Sequence, residues 1–283
     1  MSAVGMPAAG PWQSIAAGGE TVHVFGDGLV GAITHPVGRV ERKDAAVILF
    51  NAGMVQRSGP HRGSVQLARA LAERGFAVLR FDQSGLGDSP VSAQATGNRR
   101  GEELAAAIDL LVAETGARRF VVGGICSAAD NAFRLAAGET RVHGLLLLDG
   151  LAYRTPGWWL RHLPPRLRPR KLWNWWRQRG SSADMANFRD FPTRAQAVTQ
   201  MQAMAARGMR MLFVYTGGAY RYFNHAGQFA ACLGPGARSP RVSLAYWRDC
   251  DHTFYRARDR ARLQALVADW LEREFGTGAA GQA

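Results

Sequence analysis

Four runs, AAVILFNAG, FAVLRFD, RFVVGGIC and VHGLLLLD, are almost wholly apolar, and the stretches between them carry apolar residues at helical spacing. A strand apolar at every position must be covered on both faces, which a parallel sheet flanked by helices provides. In GSVQLARALAERG (63–75), Val65, Leu67, Ala68, Leu71 and Ala72 share one helical face, and Gly75 closes the segment. EELAAAIDLLVAETG and AADNAFRLAAGE read as further helices. Strand and helix in alternation imply right-handed crossovers and an α/β fold: a mostly parallel, twisted sheet with helices on both faces. Upstream, ETVHVFGDGLVGAITHP alternates apolar and polar residues around Gly26-Asp27-Gly28 and predicts a hairpin. Downstream, the pattern predicts a helix over 193–207, a strand at MRMLFVY, a helix near 225–233, a strand at RVSLAYW and a last helix from about Asp259 to Phe275.

The chain has 283 residues, 47% of them hydrophobic, enough for one large domain, placed at 20–276. Residues 1–19 are expected to be flexible and the tail GTGAAGQA, 277–283 within it, disordered. No run reaches the roughly 18 to 20 apolar residues a membrane-spanning helix needs. MSAVGMPAAGPWQS lacks the basic start and apolar segment of a signal peptide, so a cytoplasmic protein is expected. Cys126, Cys232 and Cys250 are too scattered for a disulfide framework or a metal-ligand pattern, and no metal or cofactor is expected.

In Gly124-Ile125-Cys126-Ser127-Ala128 a strand ends and a helix begins. A strand-turn-helix elbow holding a nucleophile needs small residues two before and two after it, because the turn is strained and crowded. Gly124 and Ala128 meet that need around Cys126, whereas Ser127 would be flanked by Ile125 and Ala129. The positive end of the following helix favours a thiolate there. The alternative is an inert, buried small residue. An elbow of this kind supplies one oxyanion donor from the backbone N–H after the nucleophile, here Ser127.

With NAGMVQRSGPHR, GFAVLRFDQSGLGDS, the elbow and DCDHTF in order, the sequence resembles the α/β-hydrolase superfamily from Glu20 to the last helix. More narrowly, it resembles bacterial hydrolase-like proteins with a Cys-Ser elbow, some of them encoded beside exosortase or exopolysaccharide systems. The resemblance implies His252 as general base, in the loop after the last strand, and the Met54 N–H as second oxyanion donor. Arg57, His61 and Arg62 lie in the same loop as Met54, where they could hold a substrate anion or brace the loop against Asp82. The Gly87-Asp88-Ser89 stretch reads as a structural loop and is assigned no chemistry.

The resemblance also implies an acid after MLFVY, but the loop there reads TGGAYRYFN, with Ala219 near the expected position. Three residues could replace it. Asp149, ending VHGLLLLD, stands at an alternative acid position of the superfamily and is favoured. Asn224 could orient the imidazole as in Cys-His-Asn sites, and Asp251 is adjacent in sequence but badly placed to face its neighbour. A thiol ionises more readily than a hydroxyl, so the missing acid does not by itself argue against catalysis.

The strand rhythm breaks over 151–192. From Arg154 to Arg179 run seven arginines and Lys171, interleaved with Trp158, Trp159, Trp173, Trp175 and Trp176, more than half of the formal net charge of +13. The resemblance places a lid here, with Trp158, Trp159 and Tyr220 as candidate substrate contacts. Its arginines could meet an acidic acyl-carrier protein or an anionic membrane surface. No nucleic-acid recognition motif accompanies the charge. The expected activity is that of a hydrolase or acyltransferase on a small or carrier-bound ester or thioester; the rival expectation is an inactive scaffold that binds a lipid or carrier through the basic stretch.

Overall fold

The computed structural model describes residues 19–92, 97–162 and 192–276. Eight strands, β1 (Glu20–Phe25), β2 (Leu29–Thr34), β3 (Ala45–Leu49), β4 (Ala77–Phe81), β5 (Arg119–Ile125), β6 (Val142–Leu148), β7 (Arg210–Thr216) and β8 (Val242–Trp247), form one sheet. Its order is β1-β2-β4-β3-β5-β6-β7-β8. The hairpin β1–β2 and the β2–β4 pair are antiparallel, and every later pairing is parallel. All five residues of β3 and of β4 are buried, as their almost wholly apolar character requires, and the one charged residue among them, Arg80 of β4, pairs with Glu20 at 3.4 Å.

The helices are α1 (Gly63–Ala72), α2 (Arg99–Thr115), α3 (Ser127–Gly138), α4 (Pro156–His162), α5 (Arg194–Ala206), α6 (Gln228–Leu233) and α7 (Ala257–Phe275). Leu67 and Leu71 of α1 meet Leu263, Val267 and Trp270 of α7 on one face of the sheet. On the other, Leu104 and Ile108 of α2, Phe133 of α3, Met201 of α5 and Phe229 of α6 share a second core. The mostly parallel sheet with helices on both faces is as expected from the sequence. The helix anticipated near 225–233 is shorter, because His225 to Gly227 form the turn that starts it.

The order β4-β3-β5 matters for function. The chain leaves β3 toward one side and β5 toward the other, so a crevice opens at their C-terminal ends, where open α/β sheets place ligands. The loop after β3, the elbow after β5 and the loops after β6, β7 and β8 all gather there.

Of the stretch 151–192 expected as a lid, α4 and its flanks are described. Trp173, Trp175, Trp176 and Lys171 lie outside the described residues, as do 1–18 and the tail 277–283. Among the described residues no helix is long and apolar enough to cross a membrane.

Candidate active site

The chain turns at Cys126 with φ 60° and ψ −124°. A side chain held there costs about 1–3 kcal/mol and persists only where the surroundings enforce it. Enforcement comes from three sides. The Cys126 N–H donates to Leu148 O at 2.9 Å, its carbonyl accepts the first α3 bond from Asp130 N at 3.2 Å, and Gly124 and Ala128 clear the turn. A Cβ at Gly124 would lie 2.5 Å from that of Ala128. Among the described residues, His61, Arg62, Cys126, Asp149 and Phe254 are the five non-glycines with positive φ, and all stand in or beside loops of this crevice.

Cys126 is part-exposed, whereas Cys232 and Cys250 are buried. Burial pushes the Cys250 thiol up to about 12 and also raises that of Cys232. Cys126 is therefore the accessible thiol.

The expected acid position holds no acid: Ala219 is fully buried in a turn where its carbonyl accepts from Tyr222 and Phe223. Asp149 instead lies 2.8 Å from Nδ1 of His252. Fully buried, with φ 47°, it accepts from the Thr216 N–H and the Thr216 hydroxyl, both at 2.6 Å. Its carbonyl accepts from the Tyr222 hydroxyl at 2.9 Å. The other two substitutes are engaged elsewhere. Asn224 donates to Trp158 O at 3.1 Å, and Asp251 accepts from the backbones of Thr253 and Tyr255.

The His252 ring is raised to about 9, first by the hydrogen bond with Asp149, then by one with the Cys126 thiol, against the opposing effect of burial. Carboxylate, imidazole and thiol thus form one line of contacts. Such a line can hold a proton on the ring and pass it to a group bound at the sulfur.

Two contacts beside this line escaped sequence reasoning. Gly217 and Gly218 let the β7 loop lie directly against the His252 loop: a Cβ at Gly217 would collide with Arg248 O, and one at Gly218 would come within 2.5 Å of His252 N. The Ser127 side chain accepts the Gly53 N–H at 2.8 Å, joining the elbow to the loop after β3. A Gly-Gly pair reads only as a loop, and a serine beside a cysteine draws notice as a rival nucleophile.

In the loop after β3, Met54 is highly exposed beside Gly53. The loop is braced on Asp82, which accepts from Asn51 Nδ2 at 2.9 Å and from Arg57 N at 2.6 Å. The Arg57 guanidinium pairs with both Asp82 and Asp88. Burial alone would raise the Asp82 carboxyl, but hydrogen bonds from Asn51, Asp88 and Arg57 bring it below its usual value. Of the two expectations for Arg57, a substrate anion or a brace against Asp82, the contacts match the brace: two carboxylates already occupy it. Ser89 belongs to the same brace, donating to Asp82 O at 2.6 Å.

His61 and Arg62 are exposed, and His61 lies 3.3 Å from the Thr253 hydroxyl and edge-on to Tyr255. Trp158 is only 2% exposed, and its indole N–H donates to Tyr220 O at 3.2 Å, which fastens α4 to the β7 loop. Trp159 and Tyr220 are exposed.

Fold and site together define the class, an α/β enzyme scaffold with a strained thiol elbow facing a His–Asp pair. A family model described as alpha/beta hydrolase fold matches residues 46–189, and the chain belongs to that family. Among similar solved structures, an esterase from Pyrococcus furiosus superposes with a TM-score of 0.60 at 14% identity over 91% of each chain. A hypothetical protein from Pseudomonas aeruginosa gives 0.60 at 17% identity, covering 96% of this chain and 100% of that one. A serine hydrolase without lid from Xanthomonas campestris gives 0.54 at 16% identity over 96% and 99%. Likeness at such identities speaks for the fold. No curated protein matches.

Proposed function

We propose that the protein is a cysteine-dependent hydrolase or acyltransferase that opens an ester or thioester through an acyl-Cys126 intermediate. The observation carrying this reading is the line from the buried Asp149 carboxylate through His252 to the accessible Cys126 thiol. A purely structural cysteine has no need of a strained backbone, a raised histidine and a buried carboxylate behind it.

In this mechanism the Cys126 thiolate, paired with protonated His252, forms a bond to the acyl carbon. The carbonyl electron pair moves to oxygen, held by the N–H groups of Ser127 and Met54. Collapse breaks the bond to the leaving alkoxide or thiolate, which takes the proton from His252. Water, or the hydroxyl or amine of an acceptor, then attacks the thioester and gives its proton to His252, and the thiolate departs. Asp149 holds the ring in the tautomer and orientation both steps need. Trp159 and Tyr220 would contact the acyl group. The basic stretch 154–179 would cover the site and receive an acidic carrier or an anionic surface, in a cytoplasmic setting.

The test is intact-protein mass spectrometry after exposure to acyl thioesters and activated esters, with Cys126→Ser and Cys126→Ala alongside. The expected result is an acyl mass gain mapped to Cys126 and absent from the alanine variant, with added acceptors separating hydrolysis from transfer. No adduct, together with slow alkylation of Cys126 by iodoacetamide at neutral pH, would establish the rival, a binding scaffold without turnover.

A further inference from the structure

Beside the elbow lies a cleft of about 550 Å³. Gly53, Met54 and Ser127 line one side, and Arg99, Arg100 and Asn131 line another. We propose that Arg100, pinned by Asn131, selects substrates that carry an oxyanion group, a carboxylate or a phosphate, about one helical turn from the reacting carbonyl. This deepens the acyl-cysteine reading and rests on it for the identity of the reacting group.

Arg100 is exposed, and its guanidinium donates to Oδ1 of Asn131, a side chain only 5% exposed. A neutral amide oxygen fixes the guanidinium without cancelling its charge, leaving the other N–H donors of the fork for a ligand. Among the described residues no carboxylate forms an ion pair with Arg100.

The carboxylates of the cleft face inward instead. Glu103, 6% exposed, accepts from Ser84 N at 3.0 Å and Gln83 Nε2 at 3.3 Å, and Asp130 is 1% exposed. An entering ligand therefore meets positive charge first. Arg99 and Arg100 are also the first two residues of α2, whose N-terminus has no side-chain cap, so the helix end adds to the same potential.

Spacing sets the length of the substrate. Ser127 and Asn131 are four residues apart on α3, hence on the same face and about 6 Å apart along its axis. An oxyanion held at Arg100 would stand a few bonds from a carbonyl held at the elbow. Among the basic residues expected to take such an anion, Arg57 is neutralised by Asp82 and Asp88, whereas His61 and Arg62 are exposed but do not line this cleft.

The experiment compares mono-p-nitrophenyl esters of succinate, glutarate and adipate with their neutral methyl diesters, in wild type and in Arg100→Gln, Arg100→Lys and Asn131→Ala. The wild type should favour the charged esters in kcat/KM by on the order of 10- to 100-fold, the worth of charge-assisted hydrogen bonds. Arg100→Gln should collapse that ratio toward one, Arg100→Lys should restore part of it, and Asn131→Ala should weaken it. In parallel, thermal shifts with free glutarate and with inorganic phosphate report binding without turnover and show which oxyanion is preferred. Turnover with no charge preference, or a preference that survives Arg100→Gln, would overturn the proposal. Arg100-dependent stabilisation by either anion without turnover would sustain the anion site and remove the acyl-cysteine reading.

Discussion

Asp149 concentrates several demands in one side chain. It is fully buried, its backbone has φ 47°, and its two oxygens serve His252 and both donors of Thr216. Replacement by asparagine keeps the shape but not the charge, and its amide can present N–H groups to Thr216. Asp149→Asn should lower kcat by about 10²- to 10⁴-fold. It should also return the His252 pKa toward its ordinary value, read as a shift in the pH profile of Cys126 alkylation. Asp149→Ala should in addition leave the Thr216 N–H unsatisfied in the interior, costing about 1–3 kcal/mol in denaturant titration. A variant that kept full turnover would remove Asp149 from the mechanism.

At the scale of elements, the site is made by backbone packing as much as by side chains. Gly218 is where the β7 loop passes under His252, and an added Cβ would reach 2.5 Å from the His252 nitrogen. Gly218→Ala should displace the imidazole and reduce turnover by about 10²-fold through misplacement, with His252→Gln as the reference for complete loss of the base. The strands, the elbow and the base loop were legible in the sequence because each is written in contiguous residues: apolar runs, Gly124 and Ala128 around Cys126, DCDHTF after RVSLAYW. The acid was legible only as a choice among Asp149, Asn224 and Asp251. What sets Asp149 apart is Thr216, 67 residues away, and a glycine pair whose meaning appears only once β7 lies beside β8. Arg57 shows the same limit: its two possible partners, substrate or Asp82, differ by a fold in the loop that no local pattern encodes. The hydrogen bond from the Trp158 indole to Tyr220 O is likewise a contact between distant segments.

For the whole molecule, the raised histidine ties stability to pH. His252 moves from its ordinary 6.5 to about 9 on folding, so the native state holds a proton that the unfolded chain releases. The resulting stabilisation is complete below about pH 6.5 and declines as pH rises through about 9. Melting temperature should therefore fall across that window, and His252→Gln should flatten the fall. A wild-type curve flat over the same window, in a buffer of constant ionic strength, would contradict the assignment. The net charge of +13 acts separately: self-repulsion at low salt should ease as sodium chloride is added, in wild type and variant alike.

The hydrogen bond from Gly53 to Ser127 also bears on timing. The loop after β3 and the elbow after β5 are clasped before any substrate arrives, so in the proposed mechanism the N–H groups of Ser127 and Met54 need not find each other during each turnover. Product appearance should then begin without a lag after mixing, even at saturating substrate. Ser127→Ala, which opens the clasp while keeping its own backbone N–H, should introduce a slow first phase whose rate does not depend on substrate concentration.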